Sequence, residues 1–181
     1  MKYQIVLICV ALSIVPLVAH AQTSASAEHA QKLCALLSAQ HLDAIAAQDP
    51  ADPNHFVAAL FYPNAQLLVI SARYDAPQSL QGLLASKSYR DVYADLQTAK
   101  GASNQVMFID MQADGLSEGR ANATDVMYEP GNQQTVFDDN WRKQHGLNER
   151  QYLDKFHSAD QTYAALLDTL SAAVPASMAS K

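Results

Sequence analysis

The chain has little cysteine, little glycine and little positive charge, and each scarcity removes a class of protein. Its 2 cysteines in 181 residues cannot build the framework of a small disulfide-held domain. With 6 Gly and 7 Pro it is neither collagen-like nor a flexible linker, and the dispersed glycines form no phosphate-cradling loop. Its 12 Lys+Arg are scattered against 18 Asp+Glu, a formal charge of -6, so the basic cluster that neutralises phosphates is missing. No nucleic-acid partner is expected. A Gly-x-Ser-x-Gly elbow and a Cys-x-x-Cys-His haem attachment are absent too, and no bound cofactor is expected.

Apolar residues make up 49% of the chain, enough to argue against intrinsic disorder. Part of that share lies at the start, where Lys2, the apolar run Ile5 to Val18, and Ala19-His20-Ala21 have the form of a cleavable export signal. A retained anchor is the rival reading, but 14 residues interrupted by Ser13 and Pro16 fall short of the roughly 20 that cross a bilayer. Cleavage after Ala21 would leave 160 of the 181 residues, and losing Lys2 would leave 11 basic against 18 acidic residues, a charge of -7. The expectation is therefore a signal over 1–21 and one domain over 22–181, periplasmic or secreted, without a membrane span. Cys9 would leave with the signal, so Cys34 would have no internal partner and is expected as a small buried hydrophobe.

The periodicity predicts a first helix from Glu28 to Ala47, with Leu33, Cys34, Leu37, His41, Ala44 and Ile45 on its apolar side. Pro50 and Pro53 end it. Phe56 to Tyr62 and Gln66 to Tyr74 read as a hairpin, and Leu67 to Ile70 is apolar enough to be covered on both faces. Asp75, Pro77 and Gln78 open a short helix carrying Leu80, Leu83 and Leu84. Tyr89 to Gln97 reads as a strand, because Val92, Ala94 and Leu96 alternate with Tyr93 and Asp95, although a helical segment also fits. Strands follow at Gln105 to Met111, Asp125 to Tyr128 and Gln133 to Phe137, the last two joined through Pro130-Gly131 as a type II turn.

The last helix is the best specified. Leu147, Asn148, Gln151 and Tyr152 form a staple and capping box, and Tyr152, Phe156, Ala159, Tyr163, Leu166, Leu167, Leu170 and Val174 make one stripe. Pro175 stops it, and a frayed tail is expected from Ala176. The order α-β-β-α-β-β-(β-β)-α implies the α+β class: an antiparallel sheet of four to six strands packed with an N-terminal and a C-terminal helix on one side.

Asp110, Asp114 and Gly115 sit at the first, fifth and sixth positions of a calcium loop, with Glu118 nearby. Gln112 and Ala121 occupy the third and twelfth positions, where ligands are needed, so a turn is the better reading and no metal site is assigned. Asp154 and His157 share a helix face, yet a zinc site needs further ligands, and nothing brings His145, His55, His41 or His29 to them. His41, between Leu37 and Ile45, is expected to be partly buried. Cys34 lies about 10.5 Å of helical rise from it, too far for a thiolate–imidazole pair. Trp141, in the polar segment Asp138 to Lys143, is expected to close a core edge or to anchor a partner. Asn122-Ala123-Thr124 is a formal glycosylation sequon. These readings favour a noncatalytic binding or interaction domain with a protein or small-molecule partner. The alternatives are a small metal-dependent hydrolase and a noncovalent cofactor-binding protein of split-barrel type.

Overall fold

Ala25–Ala39 forms the first helix, α1, in a computed structural model that describes residues 24–74, 88–100, 105–119 and 124–174. Ala30, Leu33 and Leu37 make its buried stripe. The helix ends well before Ala47. His41 takes φ 55, and the N–H groups of His41 and Leu42 donate to the carbonyls of Ser38 (3.1 Å) and Leu37 (2.9 Å). These two bonds are a Schellman closure with a histidine at the left-handed position usually held by glycine. His41 is therefore exposed beyond the helix end, not part of its apolar face.

Ala44–Gln48 is instead the first strand, β1. Alanine is small enough to pack on either side of a sheet, and Ala44 to Ala47 are buried in succession, a pattern that helical periodicity alone misreads. Five more strands follow: β2 (Phe56–Tyr62), β3 (Leu67–Arg73), β4 (Gln105–Asp110), β5 (Val126–Glu129) and β6 (Gln133–Val136). They form one antiparallel sheet in sequential order β1 to β6. Among the described residues β1 and β6 are the edges of the sheet. The β5–β6 connection is a 3-10 turn over Pro130–Asn132, with Gly131 at φ 79 and ψ 19 and Asn132 at φ 64, both in the left-handed region.

Tyr89–Ala99 is a helix, α2, not a strand. Val92, Leu96 and Ala99 recur at helical spacing and are buried, and the Ser88 hydroxyl caps the N terminus by accepting from the Asp91 N–H (3.3 Å). Two further helices close the described chain, the short α3 (Asp139–Gln144) and the long α4 (Glu149–Ala173). The Asn148–Gln151 capping box is formed as the sequence indicates. The helix expected from Asp75 lies outside the described residues.

The protein is thus α+β, but its helices cover both faces of the sheet. Against α1 and α4 lie Ile45, Val57, Ala59, Phe61, Leu68, Ile70 and Phe108. Against α2 lie Ala44, Ala46, Phe56, Ala58, Leu60 and Met107. Strand β3 is covered on both sides, as its apolar run implies. Arg73 reaches from β3 to Asp95 of α2 (2.8 Å), an ion pair almost out of contact with water. No helix among the described residues is long and apolar enough to cross a membrane.

Candidate functional site

Strand β4 ends at Asp110, and the chain then runs as an irregular loop through Gly119 beside the N terminus of α1. A loop without secondary structure leaves its backbone N–H groups to be satisfied elsewhere. Buried carboxylates do that here. Asp110 accepts from the N–H groups of Gln112 (3.3 Å), Asp114 (3.2 Å) and Gly115 (2.9 Å), and from the Tyr163 hydroxyl of α4 (3.1 Å). Asp125, just before β5, accepts from the N–H of Met111 (2.8 Å) and from both the N–H (2.8 Å) and hydroxyl (3.1 Å) of Ser117. Five loop amides therefore rest on two side chains.

A third buried carboxylate, Asp160 of α4, caps α1 from outside. It accepts from the N–H groups of Ala25 (2.6 Å) and Ser26 (3.0 Å) and from the Ser26 hydroxyl (2.6 Å). An acidic group at a helix N terminus meets both unpaired donors and the positive end of the helix dipole. The Ser26 oxygen in turn accepts from the Leu116 N–H (2.8 Å), which ties the loop to the helix. Gly115 lies so close to α1 that a Cβ there would stand 2.5 Å from the Cα of Ala27.

Burial pushes the Asp110 carboxyl up to about 6, with the Gly115 and Asp114 amides and Tyr163 pulling it back and the Asp114 charge adding to the rise. Burial likewise pushes Asp125 up to about 7, opposed by the Met111 amide and Ser117, and raised further by the charge of Asp110. Tyr163, fully enclosed and bonded to Asp110, is held well above the ordinary phenol range.

On the far side of this loop from the core lies a cleft of about 1120 Å³. The N-terminal turns of α1, residues 112–119 and the 153–161 stretch of α4 enclose it, with Gln31, Gln112, Asp114, Glu118, His157 and Gln161 among its polar walls and Leu153 and Phe156 as an apolar shelf. Its lining mixes amide and acid side chains with apolar surface in nearly equal measure.

The sequence-derived candidates divide around this cleft. Asp110 lies beneath it, engaged by four donors, and Asp114 lies exposed at its rim, with a turn between them closed by the Asp114 and Gly115 N–H groups on the Asp110 carboxylate. His157 lines the cleft, whereas Asp154 is exposed and pairs loosely with Arg150 (4.0 Å). His29 bonds Asp168 (2.6 Å) and joins α1 to α4. His55 bonds Asp49 (3.0 Å) and stacks on Tyr74, stapling the β1–β2 connection. His145 stacks on a half-buried Trp141, with ring centroids 4.1 Å apart. No group of three or more His, Cys, Asp or Glu side chains stands where it would hold a metal among the described residues. Cys34 is half-buried, its thiol pushed up to about 12 by burial and then by the Asp110 charge, which disfavours thiolate chemistry.

Ser26 and Asp160 escaped the sequence reading, and Asp125 and Tyr163 entered it only as the start of a strand and as part of the last helix's stripe. Asp160 did leave a signal, being a charged residue between Ala159 and Tyr163 on the apolar side of α4. Asp125 left none, because an acid before a strand is ordinary in sequence. Comparison of the chain with protein-family models, with curated proteins and with solved structures finds no match. The fold and the cleft together define the class: an α+β domain with a cleft bounded by α1, the 112–119 loop and α4.

Proposed function

We propose that the chain is an exported, noncatalytic binding protein, periplasmic or secreted, that takes an extended peptide segment of a partner into the cleft. The observation that carries this reading is the division of labour among the acids. The buried ones spend their lone pairs on loop amides and hydroxyls, while Asp114 and Glu118 at the rim remain open to a visitor. The side-chain amides of Gln31, Gln112 and Gln161 match the donors and acceptors of a peptide backbone, and Leu153, 38% exposed, gives an apolar contact. The acidic rim favours basic side chains in the peptide. Export is supported by Lys2, the apolar run to Val18 and Ala19-His20-Ala21.

Selection from a displayed random-peptide library, followed by titration of the enriched sequences, tests the cleft. Enriched peptides should carry Lys or Arg, and Leu153→Ser, which removes the apolar contact without adding charge to the rim, should weaken them at least about tenfold in a variant shown to be folded by its thermal melt. Failure to enrich any peptide, or binding indifferent to Leu153→Ser, would refute the reading. N-terminal sequencing of exported protein should begin at Gln22, and a start at Met1 would refute the cleavage.

A further inference from the structure

We propose that Asp125 and Ser117 form a proton-operated element in the cleft wall: when Asp125 takes up a proton it donates to the Ser117 oxygen, and the Ser117 hydroxyl hydrogen turns into the cleft. The geometry supplies each step. Asp125 is 1% exposed and has three partners, all neutral donors, on its two oxygens. Among the described residues, neither it nor Asp110 receives a bond from Lys or Arg. The titratable groups around the pair among those residues are Asp114 on the loop, the Cys34 thiol on α1 and the Tyr163 phenol on α4, with Glu118, His157 and Asp160 further along the same wall. Every carboxylate among them adds negative charge. Two buried like charges with no counter-ion among the described residues favour holding one proton.

The proton settles on Asp125 because of what each carboxyl faces. A protonated Asp110 would have to donate to Tyr163, whose enclosed hydroxyl would then lose its acceptor. A protonated Asp125 faces Ser117, which is half-buried and lines the cleft, so its displaced hydrogen finds solvent or a bound peptide carbonyl. Burial already brings Asp125 up to about 7, which places the change near neutrality. Acidification would therefore relieve the Asp110–Asp125 repulsion, tighten the loop and add one donor to the groove.

The clamp is read without any peptide, so its failure is distinct from failure of the cleft reading. The side-chain carboxyl carbon of Asp125 should titrate in the full-length protein with a midpoint near 7. Protection of the 111–117 amides against exchange, corrected for the intrinsic rate, should rise by up to about tenfold per pH unit as pH falls through that midpoint. In Asp125→Asn the amide nitrogen takes the donor role toward the Ser117 oxygen while the Ser117 N–H loses its acceptor, so protection should stay below that of the acidified wild-type protein and be nearly independent of pH. If that variant fails to fold, Ser117→Ala serves, and should blunt the acid-induced rise in protection, because the protonated carboxyl then has no hydroxyl oxygen to donate to. An Asp125 midpoint below about 5 in the wild-type protein, or loop protection that falls on acidification, would overturn the proposal.

Discussion

At Gly115 a methyl group would meet the Cα and N of Ala27 at 2.5 Å, and the backbone stands at φ 98, where side chains are rarely accommodated. Both obstacles act at once on Gly115→Ala, which should cost about 3 kcal/mol in urea unfolding as the loop parts from α1. A cost below about 1 kcal/mol would mean that the loop is not pinned there. Ser26→Ala deletes a hydroxyl that donates to Asp160 and accepts from Leu116, leaving a buried N–H without a partner. The expected loss is about 2 kcal/mol, with faster exchange at Leu116 as its local signature. His41 offers the opposite case. It occupies the left-handed position beyond α1 at φ 55, so His41→Gly should raise stability by about 1 kcal/mol, and a measured loss would show that the imidazole has a role of its own.

Helix α2 depends on a pair that helical or strand periodicity does not reveal. Arg73 and Asp95 lie 2.8 Å apart with side chains only 4% and 6% exposed, so removing one partner strands the other away from water. Asp95→Ala should cost about 3 to 5 kcal/mol by thermal or urea unfolding, whereas the double variant Arg73→Met with Asp95→Leu should recover most of that loss. Equal loss in both would show that the pair itself, not an orphaned charge, dominates. The same helix explains where periodicity misleads. In Tyr89 to Ala99 the buried set Val92, Leu96 and Ala99 has helical spacing, but Val92, Ala94 and Leu96 also alternate, and Ala94 is exposed. In α4 the stripe is long enough, and the Asn148–Gln151 box explicit enough, that only one period fits. Alanine-rich β1 failed for the converse reason, since a run buried on both faces carries no period at all.

Across the whole molecule, the class and most of the strands were legible because hydrophobic spacing records burial, whereas the cleft was not, because its wall is built from contacts between distant parts of the chain. Ser26 and Asp160 are 134 residues apart, and Tyr163 and Asp110 are 53 apart. Those contacts also set how stability responds to acid. Asp110 and Asp125 are raised to about 6 and about 7 by burial, so the folded protein holds protons that the unfolded chain has released near neutrality. Stability from these groups is fully present below the unfolded carboxylate range, near 4, and is lost as pH rises through 6 and 7. Asp49 and Asp139 work the other way, their carboxyls lowered by His55 and by Lys143 with Arg142, but they lie at the surface, where solvent and salt screen such pairs. The buried acids should win. Tm should therefore climb on acidification from about pH 8 to about pH 5, by an amount on the order of 3 kcal/mol in unfolding free energy, before falling in stronger acid. The double variant Asp110→Asn with Asp125→Asn should flatten that rise, and a wild-type maximum above pH 7 would show that the loop's hydrogen bonds keep both carboxylates charged despite their burial.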